Sequence, residues 1–244
     1  MLTTVADAWH TIAPPRDDRH GPLHPMLLLL TVVTGLVDAF SYLELGHVFV
    51  ANMTGNVVFL AFALAGAKGF SLAASALALA SFAVGAMGSG RIVTHLGPRR
   101  GRIVTVAVAA EAAVTALAVV LVWTVADPGN GATRFVLVAL LAAGSGVQNG
   151  MARSLAVPDM NTVVLTQTIA GTAFESRLAG GPTSRVGRRG LTVTAMFLGA
   201  LIGASTELKV ARPVGLVVAL GIEVVVAVSA ARLSRGRPAW DRPD

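Results

Sequence analysis

Residues 34–56 read TGLVDAFSYLELGHVFVANMTGN, and their reading decides the fold. They sit inside a long apolar block, 23–66, yet carry Asp38, Glu44, Gly46 and His47, and then Asn52, Thr54, Gly55 and Asn56 within a few residues. A continuous helix facing lipid would not choose these. Polar and non-helical backbone survives at membrane depth only when protein buries it or it lines a wet cavity. The stretch therefore predicts a membrane segment that is broken and covered by its own protein.

The rest of the chain supplies the membrane. With 54% hydrophobic and 13% charged residues, it has too few charges to cover a soluble surface. Apolar blocks recur at about 23–43, 47–66, 71–94, 103–126, 134–157, 160–178, 191–208 and 213–231, most of them near the length that spans a hydrocarbon core of about 30 Å. The expected fold is an all-α membrane protein, a helical bundle. Residues 1–22 mix Asp7, Asp17 and Asp18 with Arg16 and Arg19 and show no small-residue cleavage site, so the first block is expected to be a retained span.

Cysteine is absent, which excludes disulfides, thiolate metal sites and thiol catalysis. The net charge of +6 is gathered beside the apolar blocks, where it orients the chain and meets anionic headgroups. Nucleic acid is not an expected partner; the bilayer is.

Three clusters are strongly basic: Arg91, Arg99, Arg100 and Arg102; Arg177, Arg185, Arg188 and Arg189; and Arg232, Arg235, Arg237 and Arg242. All three should be cytoplasmic. Eight full crossings would satisfy them but put Arg16 and Arg19 outside. Treating 23–66 and 134–178 each as one net crossing gives six, with both termini cytoplasmic in a bacterial inner membrane. Charge favours six only modestly, and both counts stay open at this level.

The second broken block carries Gln148, Asn149, Arg153, Pro158, Asp159 and Asn161. Thr34-Gly35-Leu36-Val37-Asp38 matches Ser145-Gly146-Val147-Gln148-Asn149 in residue type at an offset of 111. Thr54 onward meets Thr166 onward at 112, as Glu111 meets Glu223. A fixed period signals a duplication. Three net crossings per half would make it an inverted repeat, 23–126 and 134–231, joined by a loop at 127–133 and followed by a basic tail at 232–244.

The run Thr34 to Leu43, with Gly46, Phe49 and Ala51-Asn52-Met53-Thr54-Gly55-Asn56, resembles the YoaK-like family of small bacterial membrane proteins, a domain of unknown function. Gly146-Val147-Gln148-Asn149 resembles that family's second-half hallmark, a Gly-aliphatic-Gln-Asn segment. The likeness covers nearly the whole chain after residue 22. Thr166-Gln167 departs from the Thr-Gly pair that such families tend to repeat. The resemblance implies a polytopic inner-membrane protein and little chemistry.

The candidate binding residues are Asp38, Ser41, Asn52, Thr54, Asn56, Gln148, Asn149 and Thr166, with Glu111 and Glu223 as proton-coupling or supporting groups. Intramembrane acids are costly and mark ion or solute paths. Set against this, Asp38 could cap free amides near Glu44 to Gly46, Thr54 or Asn56 could be a simple N-cap, and His47 is more easily interfacial than a proton relay. The expected function is a small-solute or ion transporter or channel, the alternative a non-transporting subunit that binds a lipid or partner protein. No metal or cofactor is implied, and no His-Glu-x-x-His helix or nucleophile elbow suggests an enzyme. A bundle this small often associates, so a homo-oligomer stays open.

Overall fold

A computed structural model describes residues 2–15, 18–125, 127, 129–158, 165–174, 186–210, 213–236 and 239–241, with side chains left out at 2–6, 165–167, 186 and 239. Nine helices are described: α1 Leu2–Ile12, α2 Leu23–Glu44, α3 Met53–Leu64, α4 Leu72–Leu96, α5 Arg100–Thr124, α6 Gly131–Leu155, α7 Leu165–Phe174, α8 Val186–Lys209 and α9 Val214–Leu233. A 3-10 turn at Ala239–Asp241 follows. Six of them, α2, α4, α5, α6, α8 and α9, are long and apolar enough to cross a membrane.

The short α3 separates the two crossing counts. Its 12 residues rise about 18 Å at 1.5 Å per residue, well short of a hydrocarbon core. Block 23–66 is thus one full span followed by a half-length helix, as the polar interruptions predict. α7, with 10 residues, is likewise shorter than a span. Among the described residues the fold is a helical bundle with six helices long and apolar enough to span.

The described arginines of the three basic clusters share one end. Gly21, just before α2, packs on the Trp240 ring, and the Gly101 amide at the start of α5 donates to Asp241 Oδ1 at 2.6 Å. The Arg188 amide in the first turn of α8 donates to Asp7 Oδ2 at 2.9 Å. Asp7 thereby satisfies one of the amides that every helix start leaves free. Within residues 1–22, α1 packs against α8. At the opposite end Arg134 Nη2 donates to the Gly46 carbonyl at 3.3 Å, and His47 Nδ1 meets Gly69 O at 3.2 Å.

Two crossings set the interior, and both use glycine. A Cβ on Gly85 of α4 would collide with the Ala143 carbonyl of α6, and one on Gly146 of α6 with the Phe82 carbonyl of α4. Likewise a Cβ on Gly199 of α8 would collide with Val32 O of α2, and one on Gly35 would stand 2.5 Å from Met196 O of α8. Backbones touch at both places, as small residues permit in membrane bundles. The remaining packing follows one scheme, with α5 against α9, α3 against α4 and α7 against α8.

Buried apolar side chains form two clusters stacked along the bundle. One, toward the Gly46 end, holds Val33, Leu36, Phe40, Val119, Leu137, Leu141 and Leu216. The other, toward the basic end, holds Leu23, Leu27, Leu30, Val104, Val108, Met151, Leu155 and Val226. A polar layer separates them.

Candidate functional site

The helix break is built around Asp38. Leu45 to Asn52 folds back along the end of α2, burying Leu45, Val48, Val50 and Ala51. At its lowest point the amides of Val50 and Ala51 donate to Asp38 Oδ1 at 3.1 and 2.8 Å. Asp38 lies six residues before the end of α2, so this point is about 9 Å inside the span. The acid does cap amides, but Val50 and Ala51 rather than those near Glu44. Its second oxygen is buried with no hydrogen-bond partner.

Asn56 fastens the same loop from α3. Its Oδ1 accepts the Phe49 amide at 3.0 Å and its Nδ2 donates to the Phe49 carbonyl at 2.6 Å, mimicking a strand pairing with a side chain. Gly55 makes room for the Phe49 ring, which a Cβ there would approach to 2.8 Å. Tyr42 and Phe59 stack on Phe49 at 5.0 and 5.6 Å and lie 6.1 Å from each other, closing a three-ring cluster. Asn52 caps α3, its Oδ1 accepting from Gly55 N at 3.5 Å. Asn52 and Thr54 are otherwise exposed.

Ser41 is fully buried and donates to Asp38 O at 3.2 Å, within its own helix. His47 sits against Tyr42 and Gly69, away from Asp38. Asp159 and Asn161 lie outside the described residues, and Thr166 belongs to α7 with its side chain outside them. Asn149 is half-buried one position beyond Gln148.

The second assembly is the polar layer between the two apolar clusters. Glu111 of α5, Glu223 of α9, Thr115 of α5, Thr34 of α2 and Gln148 of α6 meet there, each at most 4% exposed. Thr115 Oγ1 donates to Glu223 Oε1 at 3.0 Å, and Glu223 Oε2 has no hydrogen-bond partner. Gln148 bridges Glu111 and Thr34: its amide lies 2.9 Å from Thr34 Oγ1 on one side and 3.1 and 3.2 Å from the two Glu111 oxygens on the other. Thr115 stands one turn after Glu111 on α5, so this bond places both glutamates at the α5–α9 contact. Among the described residues, no Lys, Arg or His pairs with either glutamate, and no three His, Asp or Glu side chains form a metal cluster.

The sequence-predicted residues thus divide. Asp38, Ser41, Asn52 and Asn56 gather at the helix break, while Gln148, Glu111 and Glu223 gather in the central layer. Thr34 and Thr115 join the layer without having been singled out as candidates. Thr34 opens the repeated motif, and Thr115 stands one turn after Glu111, so only the first carried a signal.

The family's sequence profile, described as "Protein of unknown function (DUF1275)", matches residues 26–229, nearly all of the spanning region. The chain belongs to that family. It is similar to the UPF0700 transmembrane protein YoaK of Bacillus subtilis (strain 168), with 33% identity over 150 residues. That match covers 59% of this chain and 63% of the relative, less than two thirds of the relative's length. No solved structure matches. The stretch that carries the resemblance, Thr34 to Asn56, is in this family member the helix break itself.

Proposed function

We propose that this protein is a transporter or channel for a small solute or ion, with the Glu111–Glu223 pair as its proton-coupling centre. One observation carries the reading: two carboxylates from different halves of the chain lie buried together at mid-span, with no cation beside them among the described residues. Burying two like charges is costly, and a bundle that needed only cohesion would gain more from apolar side chains. Intramembrane acids that persist under that cost belong by default to ion and proton paths.

The packing scheme supports an inverted repeat. Exchanging 23–126 for 134–231 turns the α4–α6 crossing into the α8–α2 crossing, with Gly146 in the place of Gly35 and Gly199 in that of Gly85. It leaves the α5–α9 contact, and with it the pair of glutamates, on the axis of exchange. Such repeats with broken elements build alternating access around a central site. The basic end is then cytoplasmic and the membrane the bacterial inner membrane.

The alternative, a non-transporting subunit that binds a lipid or partner, draws support from the helix break. Asp38, Ser41 and Asn56 spend their hydrogen bonds on the chain's own backbone. Proteoliposomes loaded with a pH-sensitive dye and challenged in turn with alkali cations, organic anions and amino acids separate the two. Transport predicts a solute-dependent pH change that Glu111→Gln and Glu223→Gln both abolish. Silence of the folded wild-type protein toward every class favours the subunit.

A further inference from the structure

We infer that Gln148 is a positioning residue that converts the charge state of Glu111 into the hydrogen bonding of α2. This rests on the proposal that Glu111 gains and loses a proton. It follows from the two ways the same heavy atoms can be hydrogen-bonded.

With its nitrogen toward α2, the Gln148 amide donates to Thr34 Oγ1 at 2.9 Å and lies 3.4 Å from Leu30 O. The Thr34 hydroxyl, already an acceptor, then gives its one proton to Leu30 O at 3.0 Å. Gln148 Oε1 is left facing the Glu111 carboxyl at 3.1 and 3.2 Å, a contact that holds only if Glu111 carries a proton to donate. With the amide turned over, its nitrogen donates to both oxygens of an ionised Glu111, and its oxygen accepts from Thr34 at the same 2.9 Å. Thr34 has a single proton, so Leu30 O must then lose it.

The whole chain of bonds reverses direction. Neutral Glu111 gives a relay running from α5 to α2 through Gln148 and Thr34 to Leu30 O. Ionised Glu111 gives one running from Thr34 through Gln148 to the carboxylate. The proton itself comes from or returns to water; no other covalent bond is made or broken. Glu223 on α9 is the titratable group that faces Glu111, and none from α2 or α6 does so among the described residues.

The reversal reaches the backbone at a sensitive place. A threonine hydroxyl bonded to the carbonyl four residues back bends a helix slightly, and this bond would be made in one state and released in the other. Thr34 adjoins Gly35, where α8 crosses with its backbone in contact. A small change of bend there is passed to α8, because packed crossings have little slack.

The chain has two glutamines, Gln148 and Gln167. In a Gln167→Ala background, 13C-labelled glutamine reports Gln148 alone by infrared difference spectroscopy, while the part of the carboxylic-acid band that Glu111→Leu removes reports Glu111. On acidification, the Gln148 amide band should shift together with the rise of the acid band. Glu111→Leu, which adds no further glutamine, should freeze the amide band, and Gln148→Leu should leave the acid band titrating. An acid band that titrates beside an unmoving Gln148 band overturns this inference and leaves the proposed function standing. An acid band that does not titrate overturns both.

Discussion

The Asp38 carboxylate of α2 accepts the Ala51 amide at 2.8 Å, holding a loop that re-enters the membrane against the helix it has just left. Removing that acceptor strands two amides where lipid offers none. Asp38→Ala should destabilise the detergent-solubilised protein by about 2–4 kcal/mol, whereas Asp38→Asn, which keeps an oxygen, should cost less than half of that. Unfolding in graded denaturing detergent measures both, and equal losses would show that the charge, not the capping oxygen, matters.

Asn56 and Thr54 sit two residues apart on α3 and should behave oppositely. Asn56→Ala loses both bonds to the Phe49 backbone and should cost about 1–3 kcal/mol, with faster proteolysis in 45–52. Thr54→Ala, at an exposed position, should change stability by less than about 0.5 kcal/mol. If Thr54→Ala alters solute-driven flux at unchanged stability, the exposed mouth of the break contributes to binding.

The glycine crossings make a prediction about kind rather than degree. Gly35→Val or Gly146→Val forces side-chain atoms into a facing backbone, which cannot move aside, and should lose at least about 3 kcal/mol or folded protein altogether. Gly88→Ala and Gly90→Ala, where an added Cβ meets nothing, should be neutral to slightly stabilising. Yield and monodispersity on size exclusion report the difference.

Sidedness is open to a clean test, because the chain has no cysteine of its own. With the basic end cytoplasmic, Lys68→Cys in intact cells should react with a membrane-impermeant maleimide, and Arg235→Cys only after permeabilisation. The reverse pattern would invert the protein in its membrane.

Much of this was legible before any coordinates. Spans could be read because about 20 apolar residues in a row have one use, and the break because Glu44, Gly46 and Asn52 are poor company for lipid. The glutamates announced themselves as acids in mid-span. Their partners did not. Thr34 and Thr115 are ordinary residues whose meaning comes from the helices that face them, and no periodicity says that α5 meets α9. Nor could the sequence tell that Asp38 and Asn56 would spend themselves on Ala51 and Phe49. That choice belongs to the path of one eight-residue loop.

The central claim is that Glu111 and Glu223 form one unit in the polar layer. A double-mutant cycle on stability with Glu111→Gln, Glu223→Gln and the pair tests it most directly. Each single change removes one of two like charges and lets an amide donate to the remaining acid. Both singles should therefore be neutral or stabilising, and the double should depart from their sum by at least about 1 kcal/mol. Additivity within about 0.5 kcal/mol would mean that the two acids do not interact, and would contradict the account.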